Sequence, residues 1–173
     1  MKLAVIFFLA MTVSCGDERG TPNREQQMPT ADSMIDDNIA AVKLEQHDID
    51  LYATRIGLSL ITTGTGIRYH MLRNADAPDA KPDQWAKVNY RLELLNGDSA
   101  YASEPGYPES FHIGMDDVES GLHEAIQLMG PGDSALIVIP SYRAHGLTGD
   151  RNRIPMRSTV VYHLGLVSVS DRR

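Results

Sequence analysis

Residues 111–155 read FHIGMDDVESGLHEAIQLMGPGDSALIVIPSYRAHGLTGDRNRIP. Their order of elements decides the fold. Phe111 and Ile113 mark a short strand. Val118, Leu122, Ala125, Ile126 and Met129 recur on one face at helical spacing, which predicts an amphipathic helix over residues 118–129. Pro131-Gly132 ends it. Residues 134–139 are apolar on both faces, as in a central strand, and a long loop then runs to Ile154-Pro155. Nothing in the stretch has the pattern of an activated nucleophile or a metal cage.

The flanking chain supplies partners for these elements. In residues 85–95, Val88, Tyr90, Leu92 and Leu94 face one way and Lys87, Asn89, Arg91 and Glu93 the other, the alternation of a half-buried antiparallel strand. Asn96-Gly97 is a strong hairpin signal, and residues 98–103 return. Residues 59–63 and 66–72 read as strands about the turn Gly64-Thr65, and residues 74–82 as a polar loop with two prolines. Residues 159–169 form a second central strand. One helix burying a single face against a largely antiparallel sheet defines an α+β domain.

Ahead of the domain, Asp32 or Ser33 can cap a helix that stops at Gly57, here taken as residues 33–58. Ile35, Ile39, Val42, Ile49, Ala53 and Ile56 share one stripe of it. Leu44, Leu51 and Leu58 lie a heptad apart, yet too few heptads follow to favour a coiled coil over docking on the chain's own domain. The oligomeric state stays open.

Residues 1–14 read as a signal peptide: Lys2 supplies the positive start, and the apolar run 3–13 is short of the ~20 residues a spanning helix needs. Val13-Ser14-Cys15-Gly16 resembles a bacterial lipobox, the alternative being an ordinary secretory signal. Cys15 is the only cysteine, so it has no intramolecular disulfide partner, and attachment of lipid is the expected use. Residues 15–32 hold almost no apolar side chains and read as a disordered tether. Asp17 and Glu18 in it are either a sorting signal or plain linker. The expected location is the cell envelope, anchored by lipid to a bacterial membrane facing the periplasm, the outer membrane favoured. The net charge of −7 argues against nucleic acid, whose binding depends on basic contacts to phosphate. His70, His112, His123 and His163 show no metal-ligand spacing. Ser141 and His145 lack the elbow motif of a hydrolase.

KVNYRLELLNG (87–97), YAS (101–103), IGMDDVESGLHEAIQLMGPGD (113–133), IPSYRAHG (139–146) and IPMRSTVVYHL (154–164) together resemble the FKBP-type peptidyl-prolyl isomerases. The pattern spans residues 81–169 within a domain taken as 59–173. The upstream helix, ITTGTGIRYHML (61–72) and GLTGD (146–150) look closer to the lipid-anchored FKBP-type proteins of the Bacteroidetes associated with gliding motility. The resemblance implies a twisted antiparallel sheet wrapped around one short helix, preceded by the N-terminal helix. It also implies rotation about X-Pro bonds of polypeptide clients, without a cofactor or metal.

Carried over by position, the resemblance implies a pocket of Tyr90, Tyr101 and Phe111 on strands, Val118 and Leu122 on the helix, and Ile154 and Tyr162 on the far side. The Glu119 N–H would bind a substrate carbonyl, and His145 stands where the family places a substrate-binding Tyr. Four positions depart from the family: Ala102 replaces a buried Asp, Leu122 a Trp, and Glu119 and Arg153 apolar residues. A shallower, more polar pocket is therefore expected. The alternatives to an isomerase are a chaperone-like binding module with the same groove, or a structural part of a motility or secretion assembly.

Overall fold

The structure, a computed structural model, describes residues 30–172. The predicted signal peptide, Cys15 and nearly all of the tether lie outside the described residues.

The strands form one antiparallel sheet. In chain order they are β1 (Ile61–Thr62), β2 (Arg68–Arg73), β3 (Trp85–Leu94), β4 (Ser99–Ala102), β5 (Glu109–His112), β6 (Ser134–Ile139) and β7 (Val160–Ser170). Their spatial order is β1-β2-β6-β7-β3-β4, and β5 also pairs with β3. The long β3 is thus shared: residues 91–93 face β4 while residues 85–88 face β5. Register shifts at Lys87/Val88 and Leu92/Glu93 mark bulges, which bend and twist a strand.

The two helices lie on opposite faces, α1 (Ala31–Ile56) on one and α2 (Ser120–Ile126) on the other. This is why residues 135–139 of β6 are apolar at every position. Ala135, Ile137 and Ile139 join the core that contains Leu122, Ala125 and Ile126 of α2, while Leu136 and Val138 pack with Ile49 and Tyr52 of α1. β7 divides the same way, Val160, Tyr162 and Leu164 towards α2 and Val161 towards α1. Gly121 lets α2 come close to β6: a Cβ there would meet Ile139 Cγ2 at 2.3 Å.

The structure departs from the sequence pattern at three places. α1 begins two residues before the predicted start because Thr30 is its cap, its Oγ1 accepting the Ser33 N–H at 3.3 Å, so the tether ends earlier as well. Gly57 does end it, in the left-handed conformation at φ +67°. α2 is shorter than residues 118–129: Val118 and Glu119 precede it, and the chain leaves the helix at Gln127. The α1 stripe packs only in its C-terminal half. Ile49 is fully buried, but Ile35 and Ile39 are exposed because the sheet does not reach them.

The hairpin at Asn96-Gly97 is present. Gly97 alone takes positive φ (+95°), its N–H bonds to Leu94 O at 2.9 Å, and Leu94 N–H bonds to Asp98 O at 2.9 Å. The loop is therefore Leu95-Asn96-Gly97 with glycine in the left-handed position.

Candidate active site

On the α2 face of the sheet the strands and the start of α2 enclose a cavity of about 480 Å³. Val88, Tyr90 and Leu92 come from β3, Tyr101 from β4, Phe111 from β5, and Tyr162 and Leu164 from β7. Asp117, Val118, Glu119 and Leu122 close it from the helix side, and Ala144 and His145 from the loop after β6. Inward-facing residues two apart on a strand share a face, so the alternation of β3 alone sets three of the walls.

All but one of the sequence-assigned residues meet here. Tyr90, Tyr101, Phe111, Val118, Glu119, Leu122, His145 and Tyr162 line the cavity. Ile154 does not. It is 2% exposed in the core behind the cavity, and its N–H donates to Asp150 Oδ1 at 2.8 Å. Its side chain thus packs in the core, and its backbone joins the loop to Asp150. Arg153 is also outside the lining: its guanidinium lies 5.3 Å over the Tyr101 ring and donates to Ala100 O at 2.7 Å.

The polar groups of the cavity are tied to one another. Tyr162 OH donates to Glu119 Oε1 at 2.8 Å, and His145 Nε2 is 2.9 Å from the same oxygen without hydrogen-bond alignment. Tyr90 OH reaches Glu109 Oε1 at 3.3 Å, and its ring lies 5.7 Å from that of Tyr162. Burial, then the Glu109 carboxylate, push the Tyr90 hydroxyl up to about 12; burial and Glu119 push Tyr162 well above the ordinary tyrosine value. Both hydroxyls are hydrogen-bond donors at neutral pH. The Glu119 N–H, at the N-cap of α2, donates to nothing among the described residues, as expected at a helix start.

Two contributors were missed in the sequence. Asp150 accepts the Tyr101 hydroxyl, the Asn152 N–H at 2.8 Å and the Ile154 N–H, so it organises the loop beside the site. Its signal was the turn-forming Gly-Asp-Arg-Asn run. His123 Nδ1 accepts the Gly114 N–H at 2.9 Å while Nε2 donates to Asp116 O at 3.0 Å, pinning the approach to α2. No local pattern marks that role. Among the described residues no group of three or more His, Cys, Asp or Glu is placed to hold a metal ion.

A half-wrapped antiparallel sheet with a short helix and an aromatic cavity between them is the architecture of a prolyl-isomerase domain. The family model of the FKBP-type peptidyl-prolyl cis-trans isomerases matches residues 77–167, and the chain belongs to that family. It is 29% identical over 113 residues to FK506-binding protein 4 of Dictyostelium discoideum, covering 65% of this chain and 31% of that one. The chain thus spans about a third of that relative's length. Among solved structures, FkpA of Escherichia coli superposes with a TM-score of 0.65 at 25% identity, over 80% of this chain and 64% of that one. A peptidyl-prolyl cis-trans isomerase of Pseudomonas syringae pv. tomato gives a TM-score of 0.65 at 27% identity, over 76% of this chain and 94% of that one.

Proposed function

We propose that the chain is a peptidyl-prolyl cis-trans isomerase that assists the folding of exported or envelope proteins. The X-Pro bond turns slowly because resonance gives it partial double-bond character. Catalysis needs a site that favours the twisted state, in which charge separation is lost, over the planar ones. The carrying observation is the cavity of Tyr90, Tyr101, Phe111, Leu122 and Tyr162, with the unsatisfied Glu119 N–H at its helix side. A prolyl ring fits the apolar walls, and the N–H can take the neighbouring carbonyl.

The test is NMR exchange between the cis and trans forms of a proline peptide, with the wild type beside Tyr101→Ala and His145→Ala. Acceleration by the wild type, reduced in both variants, is expected. A wild-type rate equal to that in buffer sinks the enzymatic reading.

A second reading, a binding module with little turnover, draws on one observation. Two side chains of the cavity are turned towards protein partners: the Tyr101 hydroxyl donates to Asp150, and His145 Nε2 lies 2.9 Å from Glu119 Oε1. Peptide binding without acceleration would select it.

The narrower proposal is a lipoprotein anchored through Cys15, held at the envelope and serving gliding motility. It rests on the Val13-Ser14-Cys15-Gly16 pattern and on the subgroup resemblance. More than one acyl chain makes such an anchor stable. Among the described residues no helix is long and apolar enough to cross a membrane. Cys15→Ala is expected to move the protein out of the membrane fraction, and unchanged fractionation would overturn the anchor. Loss of gliding on deletion would support the last step, and normal gliding would remove it.

A further inference from the structure

Three carboxylates line the cavity among its aromatic walls: Glu109 on β5, Asp117 before α2, and Glu119 at the N-cap. Among the described residues none has a lysine or arginine ion-pair partner. Glu109 accepts only the Tyr90 hydroxyl, Glu119 meets Tyr162 and His145, and Asp117 makes no ion pair or side-chain hydrogen bond among the described residues. The arginine ion pairs lie elsewhere, at Arg68–Asp50, Arg91–Glu93 and Arg143–Glu124. Arg153, the cation beside Tyr101, stays outside the lining.

The existence of the site does not depend on these acids, since the tyrosines, the free N–H and the enclosed volume define it. The acids decide what suits it. A peptide that enters must strip water from Glu109 and Asp117, both now exposed, and that loss is costly unless the peptide brings a compensating charge. An acidic flank adds repulsion and a neutral one leaves the loss uncompensated, whereas a cation offsets it and discriminates between clients.

We propose that the site selects prolyl segments carrying a lysine or arginine next to the proline, read by Glu109 and Asp117. This deepens the isomerase reading and rests on the cavity being the prolyl site.

The test uses the full chain and otherwise identical proline peptides with lysine, leucine or glutamate on either side of the proline. Dissociation constants and exchange rates are measured in parallel at low ionic strength. The lysine peptide in one of the two positions is expected to bind about two- to fivefold more tightly than its leucine counterpart. Raised salt should shrink that ratio, and the Glu109→Gln/Asp117→Asn double variant should bring it close to one. Each ratio is taken within one protein, so a change in the variant's stability does not imitate the effect. Equal affinities for lysine and leucine peptides in the wild type, or a ratio unchanged in the double variant, overturn the proposal. Binding without acceleration removes the catalytic reading and leaves the ratio to decide this one; no binding of any peptide sinks both.

Discussion

Asp150 ties the loop before β7 to the cavity wall through the Tyr101 hydroxyl. Ala102, next to Tyr101 on β4, is exposed, and the carboxylate that accepts the Tyr101 hydroxyl comes from the loop before β7. Burial alone would push the Asp150 carboxyl up, but the Tyr101 hydroxyl and the Ile154 and Asn152 N–H groups outweigh it and hold it at about 2. A carboxyl depressed in the folded state stabilises the fold above its ordinary value of 3.8, and that contribution is lost as pH falls towards about 2. Urea midpoints measured across this interval should therefore fall for the wild type and fall less steeply for Asp150→Asn. Parallel pH dependences in the two proteins would show that the loop is not held by this charge. At the same scale, Glu119 explains why the cavity is polar. Its carboxylate can stay largely buried because the Tyr162 hydroxyl donates to it and the His145 imidazole lies against it.

Among the elements, α1 does more than cover the back of the sheet. Its Glu45 accepts the Ser141 N–H at 2.6 Å, Ser141 Oγ at 3.0 Å and Thr159 Oγ1 at 2.5 Å. It thereby ties the helix to both ends of the segment that carries His145 and Asp150. Arg68 adds a second tie, to Asp50 and to Gln46 Oε1 at 2.8 Å. Removing the carboxylate leaves these donors short of a partner in a half-buried place. Glu45→Ala should therefore cost about 1–3 kcal/mol, read from chemical denaturation. An unchanged midpoint would mean that water replaces the carboxylate without loss. The shortness of α2 belongs to this scale too. Helical spacing continues to Met129, and Met129 is buried, but its carbonyl accepts Ala80 N–H at 2.8 Å from the 74–82 loop. Asp133 binds the same loop by accepting Ala75 N–H at 2.6 Å, and its other oxygen accepts Gly130 N–H at 2.7 Å just after α2. Apolar periodicity reports burial, and here burial outlasts the helix.

For the molecule as a whole, the sheet holds two separate cores, the larger beneath α2 and the smaller beneath α1. Ile49 is fully buried at the centre of the smaller one with Tyr52, Leu136, Val138 and Val161. Ile49→Ala should destabilise by about 2–5 kcal/mol through lost burial and the cavity left behind. Ile39→Ala, on the same stripe but exposed, should change the melting point little. Equal losses from the two would show that the N-terminal half of α1 is packed in solution.

The order of elements, the two-faced β6, the alternation of β3 and the Asn-Gly hairpin were legible because each is written in residues a few positions apart, where helix and strand periods act. The positions of the pocket aromatics followed from the family pattern carried by those same elements. The polar wiring of the site was not legible. Glu119 and Tyr162 are 43 residues apart and Tyr101 and Asp150 are 49, and no local periodicity relates such pairs. Which half of the α1 stripe is buried, and that Ile154 faces the core rather than the cavity, depended on where the sheet ends. Local sequence determined the elements and their faces, since backbone geometry and side-chain period act over single turns. Only the tertiary structure decided which charges meet, because that depends on the docking of surfaces far apart along the chain.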